Sequence, residues 1–176
     1  MMVRGITLIP AKIAGVLKGK AGEVGVYLYA LGTLQGYSKN NLEWMSRQMC
    51  LETAHGTSNG MINRNNAFGM SCVSVRQNTQ IGCEEVSPVE TQGVYANLWS
   101  SVVDRFMWDS YWSLDSSKAS PDYPSRVSEI YHASSAYVDN VSATAPTGFG
   151  VAVVATWLAL PLEILAIQKL WKFFQN

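Results

Sequence analysis

The sequence is poor in charge. Of 176 residues only 15% are Asp, Glu, Lys or Arg, and 13 basic side chains balance 13 acidic ones. A balanced chain offers no polybasic surface of the kind that displaces counterions from phosphates, which argues against nucleic-acid binding. Cysteine is scarce too. Cys50, Cys72 and Cys83 cannot close a disulfide framework and lack the paired C-x-x-C spacing of a zinc site, so neither a metal nor another cofactor is expected. The plain expectation is three reduced, buried thiols, the alternative being a Cys72–Cys83 pair across a hairpin in an oxidising compartment. No apolar run long enough for a cleavable signal forms near the start, because Pro10 and Lys12 interrupt the stretch that follows Arg4. What is abundant is hydrophobic surface: 48% hydrophobic and 11% aromatic residues exclude disorder and imply a surface that meets more than water.

Periodicity places an amphipathic helix over Ile13–Leu34, with Val24, Tyr27, Leu28, Leu31 and Leu34 three and four apart and Gly36 as its stop. A second helix is expected from Leu42 to about His55, opened by Asn40 or Asn41 and closed by Gly56. Its apolar stripe runs Leu42, Met45, Met49, and the next position on that face is Glu52. A polar loop, 57–66, leads to a stretch from Cys72 to Val94 that reads as one or two small β-hairpins. Helices follow over Ala96–Tyr111 and Pro124–Tyr137. The fold class expected is mainly α (α+β): a helical body with a small β-hairpin lobe.

Residues 138–147 have the Ser, Ala, Thr and Asn texture of a linker. Beyond them, Gly148 to Ile167 carries one charge, Glu163, over about the length that crosses a hydrocarbon core, with Lys169, Trp171 and Lys172 placed as interface anchors. The expected organisation is an N-terminal helical segment (1–36), a central domain (37–137), the linker (138–147) and a membrane-anchor helix (148–174). The competing reading docks that last helix on the domain or on a sister subunit, as Thr156, Pro161, Glu163 and Gln168 would permit, so an oligomer is compatible with the sequence.

An acid at the solvent end of an apolar stripe is a candidate proton donor, and Glu52 has that position. Downstream stand amides and aromatics suited to gripping a glycan: Asn63, Asn65, Asn66, Phe68, Tyr95, Trp99, Trp108, Trp112 and Tyr123. The bland alternative is that Glu52 merely ends a helix and the aromatics are core. His55, three positions on, reads as a cap for the last turn, and His132 as structural.

Three blocks in order, Leu51-Glu52-Thr53-Ala54-His55-Gly56-Thr57-Ser58, then Asn65-Asn66-Ala67-Phe68-Gly69-Met70, then Tyr95 followed by Ser101-Val102-Val103-Asp104, resemble the glucosaminidase domain of glycoside hydrolase family 73. The family pattern is roughly L-E-S-x-x-G-x-S, a loop, N-N-x-F-G-[IM], and an aromatic-led helix with Ser-x-x-Asp. The resemblance covers about Leu34 to Tyr137 and implies a lysozyme-like helical fold with a hairpin lobe, no metal, and cleavage of N-acetylglucosaminyl β-1,4 bonds in peptidoglycan. By position it makes Glu52 the catalytic acid, Gly56 the helix-ending glycine and Ser58 the loop tie. Asn65, Asn66, Phe68 and Gly69 would line the cleft, with Tyr95 and Tyr123 as further substrate contacts. In the family's Y-A-T-D-P-x-Y stretch the first tyrosine is absent here, leaving Tyr123. A second acid is expected from the hairpin, where Glu84, Glu85 and Glu90 compete and Glu85 is taken. Together these features imply a membrane-associated peptidoglycan hydrolase, placed at the internal membrane of a virion or at a host cell envelope. A non-catalytic glycan-gripping protein and a lytic transglycosylase are the alternatives.

Overall fold

The computed structural model describes residues 2–131, 134, 136–154 and 156. The chain is mainly helical with one two-stranded antiparallel sheet. The long helix α1, Met2–Leu34, begins well before Ile13 and turns sharply at Lys18–Gly19, where Gly19 has φ +62°. This bend gives α1 two arms, residues 2–17 and 20–34. They meet so closely at Gly22 that a Cβ there would collide with the Ala14 carbonyl, which is why that position suits glycine.

Helix α2, Lys39–Glu52, opens on Ser38, whose hydroxyl accepts from the Asn41 amide at 3.2 Å; the cap is thus neither Asn40 nor Asn41. The Asn41 side chain instead donates to the carbonyls of Lys118 and Ser120. Leu42, Met45 and Met49 are fully buried against the second arm of α1, where Val24 and Leu28 are buried too. Each such side chain contributes about 1.5–3 kcal/mol of transfer free energy. Helix α4, Leu98–Tyr111, closes this core from another side with Val102 and Phe106.

Between α2 and α4 lie the short helix α3, Asn59–Asn63, and the hairpin of β1, Gln80–Ser87, and β2, Glu90–Tyr95. In register, Glu84 faces Gln92 and Glu85 faces Thr91. Cys72 and Cys83 form a disulfide, which corrects the expectation of three reduced thiols; only Cys50 is free, and it is buried. Ser71 bridges to Gln92 and the Cys72 amide donates to the Thr91 carbonyl, while Cys83 opposes Gly93, so the sheet itself brings the two Cα atoms to 5.6 Å.

The expected helix over Pro124–Tyr137 is two elements: α5, Tyr123–Ile130, and α6, Tyr137–Ala143. The segment read as a linker is therefore ordered structure. Val141 is buried, and Arg47 donates to the carbonyls of Ser142 and Thr144, which ties α6 to α2. Residues 149–154 and 156 are helical, with Phe149 and Ala152 buried. This stretch packs on the second arm of α1 through small residues, Gly148 on Gly22 and Ala152 on Gly25, and through an edge-on Tyr29–Phe149 contact. Most of the expected membrane segment, 157–174, lies outside the described residues, as does His132. Among the described residues no helix is long and apolar enough to cross a membrane.

Candidate functional site

Glu52 is the last residue of α2, and the chain turns away immediately after it. Thr53 makes the turn: its hydroxyl donates to the Met49 carbonyl at 2.6 Å and accepts from the Gly56 amide at 3.0 Å. Ala54, His55 and Gly56 then take three consecutive left-handed conformations, φ +47°, +56° and +85°. For Ala54 and His55 that backbone is strained, typically by about 1–3 kcal/mol each. Gly56 is pressed on Ala21, where a Cβ would meet the Ala21 nitrogen at 3.0 Å. The result is an exposed Glu52 at the lip of the body, not the half-buried acid that the stripe suggested. His55 does not cap the turn; its Nδ1 sits 2.9 Å from the Thr147 hydroxyl and pins the segment that follows α6.

The next two motif blocks form the floor and its braces. Ser58 caps α3 by accepting from the Met61 amide, and Lys20 reaches over from α1 to donate to the Met61 and Ile62 carbonyls. Asn65, at φ +51°, donates to the Tyr95 carbonyl. Asn66 is buried and closes the tight turn over Ala67-Phe68-Gly69: its amide donates to the carbonyls of Met70 and Gly93 and its oxygen accepts from the Met70 amide. Ser101 accepts from the Ala67 amide, and Asp104 binds Arg76 at 2.7 Å and the Tyr95 hydroxyl at 2.6 Å. The Ser-x-x-Asp block thus clamps loop and hairpin to α4.

Several residues expected in the cleft belong to the interior. Phe68, Tyr95 and Tyr123 are each at most 1% exposed, and Asn66 is a buried clamp, so none of the four presents its side chain to a ligand. The aromatic rings fill core volume because the helices around them leave no polar surface there to wet. Tyr123 donates to Asp109 at 2.7 Å beside the buried Arg105–Asp109 pair, which also takes the Tyr37 hydroxyl at 2.7 Å. Gly69 is different. It stands at φ +62° directly against the acid, where an added Cβ would lie 3.8 Å from Glu52 Oε2.

The hairpin acids are exposed. Glu84 lies 3.3 Å from the Arg64 guanidinium, and its cross-strand neighbour Gln92 reaches toward Gly60, so that face is turned to α3. Glu85, the residue taken as second acid, occupies the opposite face of the strand. Alternation decides between the two, and it gives Glu84 the inward side.

What reaches Glu52 is Tyr137, 85 positions away, whose hydroxyl donates to Oε1 at 2.6 Å. That hydroxyl in turn accepts from Gln48 Nε2 at 2.9 Å, and Gln48 Oε1 faces Arg105 Nη2 at 3.4 Å. A guanidinium only donates, so it fixes the orientation of the Gln48 amide, and the amide directs the phenolic proton to Glu52. Burial, then the Glu52 carboxylate, push the Tyr137 phenol far above its ordinary range, which keeps it a donor. Tyr131 stacks on Tyr137 with ring centres 6.2 Å apart, Trp108 lies 5.0 Å from Tyr131, and Trp112 continues the row at 6.4 Å. These rings border a groove of about 190 Å³ whose other wall is Gly69, Met70 and Ser71. Burial first, with Glu52 adding and Arg105 opposing, pushes Tyr131 up to about 12.

Gln48 was legible in the sequence as the residue one helical turn before Glu52; Tyr137 and Tyr131 were not, since nothing local marks them. A larger concavity, about 580 Å³, is bordered by Val75, Phe106, Met107 and Tyr111, but its cation, Arg76, is already taken up by Asp104. Among the described residues no cluster of His, Cys, Asp or Glu could hold a metal. No family model, curated protein or solved structure matches the chain.

Proposed function

We propose that this protein is a lysozyme-like peptidoglycan hydrolase that cleaves β-1,4 bonds at N-acetylglucosamine, with Glu52 as general acid. The observation that carries the reading is the Glu52 carboxyl, held by Tyr137 at 2.6 Å, beside a groove walled by Trp108, Trp112 and Tyr131. Apolar ring faces suit sugar rings, and the Gly69–Ser71 backbone opposite them suits hydroxyl and acetamido groups. Glu52 gives its proton to the leaving glycosidic oxygen and becomes a carboxylate. The Tyr137 hydroxyl bonds that carboxylate more strongly than the neutral acid, so its stabilisation grows along the reaction coordinate. Glu84 is engaged by Arg64 and Glu85 lies on the other hairpin face, so the substrate's own acetamido oxygen takes the second role. Residues 148–174 hold the enzyme at a lipid membrane, that of a membrane-containing virion or of the host envelope.

The test is digestion of purified peptidoglycan by the full chain in mild detergent, with the new ends identified by mass spectrometry. Reducing N-acetylglucosamine ends, lost by roughly 100-fold or more in Glu52→Gln, are expected. Anhydro ends would assign a lytic transglycosylase, a reading favoured by a lone acid with no free carboxylate partner. Binding by both forms without cleavage would leave a glycan-gripping protein.

A further inference from the structure

The balance of charge over the whole chain hides an uneven distribution. Residues 1–22 hold four of the thirteen basic side chains, Arg4, Lys12, Lys18 and Lys20, and none of the thirteen acidic ones. They include the first arm of α1, and that arm shows the body only one of its faces. Ala11 and Ala14 are wholly buried, whereas Ile13, Val16 and Leu17, spaced three and four apart on one side, are 52%, 87% and 60% exposed. Single exposed apolar residues are ordinary, but three adjoining on one helix face are a patch. Lys12 and Lys18 flank it and are exposed. Lys20 is held by the α3 carbonyls, and the nearest acid along the chain, Glu23, sits beside Gly15 and accepts from Tyr27.

We infer that this face of the first α1 arm is a second membrane contact, lying flat in the interface of an anionic leaflet with Ile13, Val16 and Leu17 inserted and Lys12 and Lys18 on the headgroups. Two observations select lipid over a protein partner. The patch is apolar with a purely basic rim, the complement of anionic lipid. It also adjoins the start of the long hydrophobic stretch: Gly148 packs on Gly22, with Lys18 Cβ 3.2 Å from where a Gly148 Cβ would be. A bilayer taking up the stretch after Gly148 would therefore lie next to this arm. The inference is independent of the hydrolase reading.

The test uses the full chain with Val16→Cys carrying an environment-sensitive fluorophore; Cys50 is buried and the other two thiols are paired, so the label is selective. Phosphatidylcholine vesicles with and without phosphatidylglycerol are the probes. A blue shift of the label with the anionic vesicles is expected, reversed by salt, with apparent affinity of the arm falling roughly fivefold for each lysine lost in Lys12→Gln and Lys18→Gln. Flotation of the chain with anionic vesicles without a shift, or no binding at all, would overturn the proposal. So would a shift that rises with protein concentration in the absence of lipid, which would assign the face to a second copy of the chain. Circular dichroism of each variant checks that the fold is kept.

Discussion

Replacing Asp109 by Ala tests the polar core on which the site rests. Asp109 is wholly buried and accepts from Tyr37 and Tyr123, both at 2.7 Å, and from Arg105, itself wholly buried. Removing the carboxylate leaves a guanidinium with no counter-charge in the core and two phenols without their acceptor. Breaking a buried pair in this way costs about 3–5 kcal/mol. Each phenol left unsatisfied adds about 1 kcal/mol at the low end, which places Asp109→Ala at roughly 5 kcal/mol. A domain of this size has about 5–15 kcal/mol in total, so the variant is marginal or unfolded. The assay is urea unfolding in mild detergent followed by far-UV circular dichroism, with the slope checked for constancy. The double variant Arg105→Met, Asp109→Leu should recover much of the loss, because the pair's own net contribution is small once both charges go. A cost below about 1 kcal/mol for Asp109→Ala would mean that water enters the site, and would refute the reasoning.

Tyr137→Phe removes the hydroxyl bound to Glu52 and is expected to lower turnover by about 10–100-fold, the rate equivalent of one bond to a charged group, with little change in KM, read by release of soluble muropeptides. Burial, reinforced by Asp109 at Tyr37 and Tyr123 and by Asp104 at Tyr95, pushes these phenols well above their ordinary value in the folded chain. Their contribution to stability is therefore complete below about pH 10, where the unfolded phenols are still protonated, and is lost as pH rises beyond it. Tyrosinate absorbance should appear together with loss of circular dichroism; ionisation of these phenols in a still-folded chain would contradict their burial. Reducing Cys72–Cys83, which closes a sequence separation of 11, should lower stability by about 3 kcal/mol as measured by urea unfolding with and without reductant. Gly22→Ala, which meets the Ala14 carbonyl, should cost roughly 1–3 kcal/mol in the same assay.

Much of the architecture was legible because it rests on local periodicity. The stripe Leu42, Met45, Met49 predicts both the existence of α2 and the position of Glu52 at its end, and the alternation after Cys72 predicts a hairpin. Errors came where tertiary contacts override local texture. Residues 138–147 look like a linker, yet Arg47 binds the carbonyls at the end of α6, and Val141 fills a place in the core. Pro10 suggested a break in α1, but a helix tolerates the loss of one amide, and the real bend came at Gly19, where a positive φ is easy. The motif asparagines read as ligands of a glycan because amides serve that role. At Asn66 the same amide closes a turn whose backbone groups have no water to bond, and that demand takes precedence.

By itself, then, the sequence determined that the chain folds as a helical body with a hairpin, and that Glu52 ends an apolar helix face with Gln48 one turn behind it. Those properties depend on residues within a few positions of one another. Only the tertiary structure decided which aromatics are core and which face the groove, that Glu84 rather than Glu85 turns toward α3, and that Tyr137 grips the acid. Each of these is a contact between segments far apart in the chain, set by how the helices pack, and no local pattern encodes it.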